Sequence, residues 1–322
     1  MKRWIYVAAV LPLFLASCDK EKLIETTDNT PVPLSIDASI GITSEIMSRS
    51  LVTGETFAES SDIGIFVTGT GYTPVVTIYT SSTSEDNTTW TTQSPIYLTK
   101  NEATVYGFYP VTEPSTSDAI TADTEAKTIP VTIASSYSGF TVPESQADYL
   151  YATDGTNATT MEKVDKVNNT ATLEFYHALS QLSFIVNKAK NFGGTGTLTS
   201  LKVEAASDSI TGSGMLQLDG SGITLSETAS KSITLTDSTT INDPSSTTVI
   251  GTALVAPLTT PQKVTLTMTI DGQSYTGTIS EAAWEAGKKY TYTVTVGGGT
   301  LTITSVSIQN WVNVGSGNVT VE

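Results

Sequence analysis

In the run Val264-Thr-Leu-Thr-Met-Thr-Ile270 every second side chain is apolar and every one between is threonine. Tyr290, Tyr292, Val294 and Val296 repeat the arrangement against Thr291, Thr293 and Thr295. A helix would wind such a pattern around its whole circumference. A strand, with its period of two, sends the apolar set to one face and the threonines to the other. Threonine suits the outer face because its branched Cβ fits the pleat while its hydroxyl stays wet. Leu34, Ile36, Ala38, Ile40 and Ile42 alternate in the same way. No long helical pattern competes, so the chain is expected to be all-β.

The first half offers strands at 34–42, 62–68, 75–79, 96–98, 103–109, 128–133 and 148–152, each bounded by Gly, Pro, Asn, Ser or Asp. From Thr153 to Asn169 the chain turns polar without a periodic apolar face, and a domain boundary is placed there. Strands resume at 172–186, where Leu173 and Phe175 share one parity and Leu182, Phe184 and Val186 the other. That switch requires a bulge, bend or short turn around His177–Gln181. Further runs follow at 198–203, 214–218, 248–256, 264–270, 275–279, 289–296 and 301–308. Asp271-Gly272 signals a hairpin, and Gly297-Gly298-Gly299 reads as a joint about which the last strand swings. The whole is expected to form two β-sandwiches of about seven strands each.

Residues 1–17 carry a positive start, an apolar stretch from Ile5 to Leu15 too short to span a bilayer, and Leu15-Ala16-Ser17-Cys18, the pattern of a lipoprotein export signal. Cys18 is the one cysteine, so no internal disulfide is available. Its expected role is to carry acyl chains that attach the exported chain to a membrane without a spanning segment.

Enzyme chemistry finds little support, and no catalytic residue, cofactor or metal is assigned. The single histidine, His177, sits among Phe, Leu and Ala and reads as structural. Zinc and transition-metal sites need several His or Cys ligands. Asp154-Gly155, Asp219-Gly220 and Asp271-Gly272 read as turns, since none opens a calcium loop. Gly193-Gly194-Thr195-Gly196 lacks the Lys-Ser/Thr of a phosphate loop. A formal charge of −16 argues against nucleic acid as a partner. Trp90, Trp284 and Trp311 are weighed as a sugar-stacking platform and read instead as anchors of cores or turns.

Arg49 is the one arginine beyond the first few residues. Taken alone it is either an ordinary solvated side chain or a single address for an arginine-cutting protease just after the Leu34 strand.

Four segments are then taken together: Asp148-Tyr-Leu-Tyr-Ala152, Phe175-Tyr-His-Ala-Leu-Ser-Gln-Leu-Ser-Phe184, Trp284-Glu-Ala-Gly-Lys-Lys-Tyr-Thr-Tyr-Thr-Val-Thr-Val296 and Ile308-Gln-Asn-Trp311. With the lipobox at Cys18 they resemble the fimbrillin (FimA/Mfa-like) family of Bacteroidetes, in the family's order and over nearly the whole chain. The run Asp19-Lys20-Glu21-Lys22 is similar to signals that send Bacteroidetes lipoproteins to the cell surface.

The resemblance implies two transthyretin-like sandwich domains and a structural subunit, stalk by preference, of a type V pilus serving adhesion. It implies a precursor lipidated at Cys18 in the outer membrane and cut between Arg49 and Ser50 by an arginine-specific or trypsin-like protease. The chain then polymerises with other fimbrillin subunits, with accessory tip and anchor subunits as further partners. The implied donor is the stretch from Leu301 to Val321, with Ile303, Val306, Ile308 and Trp311 along it. The division that follows is a signal peptide at 1–17, a propeptide at 18–49, an N-terminal domain at 50–155, a linker at 156–169 and a C-terminal domain at 170–322. Many relatives carry Arg-Ala or a similar small pair at the cut, where this chain has Arg49-Ser50. The competing readings are an anchor or tip subunit of the same pilus, or a glycan-binding surface lipoprotein, which would show clustered exposed aromatics.

Overall fold

The computed structural model describes residues 30–40, 57–84, 87–114, 116–311 and 319–320. Among them every regular element is a strand. The first sheet runs in the order Ser35–Ile40, Thr170–His177, Leu150–Thr153, Ala103–Tyr109, Asp62–Thr68, Thr77–Ser84, Asn87–Thr91. Its central strands are buried on both faces, which is why Asp62–Thr68 reads as an almost continuous apolar run rather than an alternation. Ile63, Ile65, Ala103 and Val105 face one core, while Phe66, Tyr106 and Phe108 face another. Gly64 leaves the space for this, because a Cβ there would lie 2.3 Å from the Phe108 ring.

In the second half, two five-stranded sheets enclose a third core. One is ordered Gly251–Val255, Ser180–Lys188, Lys288–Gly297, Thr300–Asn310, Val319–Thr320. The other is ordered Gln273–Trp284, Leu258–Ile270, Thr197–Ala205, Ser232–Thr240, Ser136–Tyr137. The alternating runs behave as their pattern requires. Val264, Leu266, Met268 and Ile270 are buried, as are Tyr290, Tyr292, Val294 and Val296. Each such side chain contributes ~1.5–3 kcal/mol when fully buried.

The parity switch after Phe175 marks a passage between cores. Ala171, Leu173 and Phe175 enter the first core, Ala178 and Leu179 the middle one, and Leu182, Phe184 and Val186 the third. The chain therefore breaks at His177 and restarts at Ser180 in a different sheet.

Pairing also crosses the polar stretch between the halves. Thr170–His177 completes the first sheet, and Thr128–Ile133 pairs antiparallel with Gly212–Gln217 to roof the middle core. The polar stretch itself sends Lys163–Val164 back to Ala103–Thr104 and buries Val164.

Two turns refine the expectations. Asp271 and Gly272, with φ of 50° and 76°, form the two-residue turn joining Ile270 to Gln273. Gly298 and Gly299, at 58° and 81°, do the same between Gly297 and Thr300. Gly297 belongs to its strand, where a Cβ would lie 2.4 Å from that of Ala189. The three glycines thus make a tight hairpin rather than the loose joint expected from the sequence.

Candidate functional site

The strand Ser35–Ile40 lies at an edge of the first sheet, parallel to Thr170–His177, with Ser35 opposite Thr170 and Ile40 opposite Phe175. Leu34, Ile36, Ala38 and Ile40 point into the core, and Ser35, Asp37 and Ser39 face out. The period-2 pattern is what seats it, since a slip of one residue would turn all four apolar side chains to water.

Further contacts fix its ends. Val32 and Pro33 pair with Leu98 and Tyr97. The Leu34 amide donates to the Ile96 carbonyl at 2.8 Å, and the Ser35 amide to that of Asn169 at 2.8 Å. The Tyr79 hydroxyl donates to the Leu34 carbonyl at 3.3 Å, and the Trp90 indole N–H to that of Ala38 at 3.4 Å. Burial raises the Tyr79 phenol above its ordinary value.

The floor beneath the strand is aromatic. Phe57 stands edge-on to Trp90 and to Phe175, with ring centroids 5.1 Å apart in both cases. Phe57 and Ile40 belong to the same core. Cys18, Arg49 and Ser50 lie outside the described residues. In the sequence, Arg49 and Ser50 fall between Ile40 and Phe57, two side chains anchored separately on one floor. A chain cut between them would keep Phe57 and free the strand. Ala171, Leu173, Phe175, Tyr79 and Trp90 would then line an apolar trough beside one unpaired strand edge, a geometry that a strand from another chain can fill.

The terminal strand Thr300–Asn310 pairs antiparallel with Lys288–Gly297, and Val319–Thr320 folds back on Ile308 and Ser307. Leu301 is buried over Gly277, while Ile303, Val306 and Ile308 are half-buried against the third core. The alternation breaks at a bulge between Thr293 and Val294. The proposed donor residues therefore stand at one edge of the second half, packed on their own subunit.

Trp311 lies elsewhere, at the junction of the halves. Its amide donates to the Gly287 carbonyl at 2.7 Å. Its ring stacks on His177, whose Nδ1 lies 2.9 Å from Asp148 Oδ2. Nearby the Ser180 hydroxyl donates to the Glu285 carbonyl at 2.7 Å, and Tyr290 OH receives the Glu285 amide at 2.8 Å. All four segments that carry the family resemblance converge here. Individually they read as unremarkable strand sequence, so spacing alone gave no signal of the convergence.

His177 is buried and paired within this junction. Trp90, Trp284 and Trp311 are each buried in a different core, which overturns the sugar-stacking platform. Among the described residues the exposed large apolar side chains include one aromatic, Tyr97, beside a shallow groove of about 290 Å³.

A family model described as fimbrillin-like matches residues 49–311. Three solved structures share the fold. A proposed cell adhesion protein of Bacteroides uniformis is 18% identical with a TM-score of 0.58, over 87% of this chain and 98% of its own. One of Bacteroides ovatus is 18% identical with a TM-score of 0.57, over 88% and 99%. A fimbrial protein of Bacteroides vulgatus is 15% identical with a TM-score of 0.54, over 88% and 100%. No curated protein sequence matches the chain. With most of its length matched by the family model, the chain belongs to the fimbrillin-like family.

Proposed function

We propose that this protein is a structural subunit, by preference of the stalk, of a type V pilus that serves cell adhesion. It is exported as a lipoprotein acylated at Cys18, held at the outer membrane, and released when a protease cuts between Arg49 and Ser50. Removal of the Ser35–Ile40 strand opens the trough of the first half, which accepts a strand from the 301–321 segment of the next subunit. Donor and acceptor are different surfaces, so the contact is head-to-tail and propagates as an extracellular filament.

The observation that carries this reading is the edge strand itself. It plugs an aromatic-floored core, is joined to its sheet on one side, and is followed in the sequence by the one arginine beyond the first few residues. Its parallel pairing means that no hairpin ties it to its neighbour. The division into an N-terminal domain at 50–155, a linker and a C-terminal domain from 170 is proposed with the strand Thr170–His177 serving as pairing partner for the incoming donor.

Arg49→Ala tests the reading. It is expected to give a folded, lipidated precursor that stays at the membrane and does not polymerise, with an N-terminus at Cys18 where fibres of the parent chain begin at Ser50. Normal filaments from the variant would refute the mechanism.

The sealed tryptophans and the lack of clustered exposed aromatics among the described residues weigh against the glycan-binding alternative.

A further inference from the structure

One end of the first sheet is closed by three loops that lie side by side. The loop at 99–102 is joined to the one at 69–72, where Asn101 Nδ2 donates to the Thr70 carbonyl at 2.8 Å and Tyr72 OH to that of Asn101 at 2.9 Å. It is joined to the loop at 165–168 by the Lys166 amide, which donates to the Thr99 carbonyl at 2.8 Å. Val32 and Pro33, paired with Leu98 and Tyr97, complete this end. The Asp165 carboxylate accepts from the Val167 and Asn168 amides, both at 2.7 Å, which fixes a turn with Val167 at its tip, 79% exposed. Tyr97, 56% exposed, and Val75 line the groove that runs up to Thr99 and Gly71.

The charges here run against those of the whole chain. Lys100, Lys163 and Lys166 stand at this end against Glu102 and Asp165. Glu102 is tied to Lys163 at 2.7 Å, and Asp165 is engaged by its turn. A locally positive, partly apolar surface therefore sits on a protein whose net charge is −16.

Where the chain enters decides what meets this surface. Thr30 leads into Val32 at this end, and Cys18 stands twelve residues before Thr30. A span of that length reaches ~43 Å at most when fully extended. Acyl chains on Cys18 would thus keep this end of the sheet within that distance of a bilayer.

We infer that this end of the first sheet is a membrane-contact surface of the precursor, with Lys100 and Lys166 against the phosphates of anionic lipid headgroups and Val167 and Tyr97 in the interfacial layer. The inference rests on the acylation at Cys18 proposed above and adds to it what the folded part does at the bilayer. Lysines within a Debye length of an anionic leaflet are drawn to it, and a tyrosine ring with its polar tip suits the headgroup level. So small a contact needs its tether, because a short linker holds the two surfaces at a millimolar effective concentration. The proposed cut at Arg49 takes that tether away. Lys100, Lys166, Val167 and Tyr97 all remain on the cut chain, yet their hold on the membrane would then lapse.

The test tethers the full chain through Cys18 to vesicles of equal parts phosphatidylethanolamine and phosphatidylglycerol. Its own acyl chains or a maleimide lipid serve equally, so the outcome stands apart from acylation in the cell, which mass spectrometry at Cys18 reads separately. Emission is taken relative to the parent chain, whose tryptophans every variant shares. Lipids brominated along their acyl chains should quench the added emission of Val167→Trp about twofold, since interfacial side chains lie only ~5–10 Å deep. They should leave that of Thr278→Trp, exposed in the second half, unchanged. Lys100→Glu combined with Lys166→Glu should abolish the quenching with the circular dichroism spectrum intact, and high salt should do the same without a substitution. Val167→Trp emission that brominated lipid leaves unchanged, equal quenching at 167 and 278, or quenching that survives high salt would each overturn the inference. None of these results bears on cleavage or strand exchange, which are read from Arg49→Ala.

Discussion

The imidazole of His177 lies flat on the indole of Trp311, with ring centroids 4.3 Å apart and planes 3° from parallel. Trp311 follows directly on the terminal strand, and His177 ends the strand that pairs with Ser35–Ile40. This stack links the proposed donor segment to the proposed acceptor, because whatever shifts one ring removes the packing partner of the other. Asp148, also buried, orients the imidazole at its edge through Nδ1.

Trp311→Ala is expected to cost ~3–5 kcal/mol of stability, the range for a large aromatic removed from a core. Trp311→Phe should recover much of that loss because it keeps a ring over His177. Denaturant unfolding of the two variants measures the difference, and equal midpoints would show that the stack contributes nothing.

Gly277 should tolerate a branched side chain poorly. A Cβ there would lie 2.3 Å from Leu301 Cδ2 and 3.3 Å from the Leu301 carbonyl oxygen, so Gly277→Val is expected to push the Leu301 side chain out of its place and crowd the start of the terminal strand. Overpacking of this kind costs ~1–3 kcal/mol. Faster amide exchange at Leu301–Ile303 than elsewhere in that sheet would locate the damage.

Asp271 binds the loop beside it. Its carboxylate accepts from the Thr195 hydroxyl at 2.6 Å and from the Gly196 and Thr197 amides at 2.9 and 2.8 Å, and these bonds hold its pKa down to about 2. A depressed acid contributes stability that is complete above its ordinary value, 3.8, and is lost as pH falls through about 2. The amide resonances of Gly196 and Thr197 should therefore titrate between about pH 4 and pH 2, and Asp271→Ala should abolish the transition.

The strands were legible wherever apolar and polar residues alternate. Those at 264–270 and 289–296 stand where the pattern places them, while 62–68 and 103–109 read instead as apolar runs bounded by turn residues. Ser232–Thr240 escaped because two apolar residues, Ile233 and Leu235, are diluted by serine and threonine, and Asn87–Thr91 because Trp90 stands alone. Partnership was less legible than existence. Nothing local to Thr170–His177 says that it joins the first sheet, since that is decided by which core its parity can enter. The trough was half visible, in that the Leu34 alternation announced a strand with one buried face but not the aromatic floor. The junction around His177 was invisible in spacing because its members are far apart in the chain.

Ser35 pairs with Thr170, so the strand Ser35–Ile40 finds its partner only after the first sheet's other strands have been made. Parallel neighbours so distant in sequence are among the slowest to meet. This strand is therefore expected to dock late, onto a sheet whose other strands are already paired. Order of arrival would mirror order of departure: the piece expected to close the subunit last is the one that the proposed cut would release, leaving the rest of the sheet as it was built.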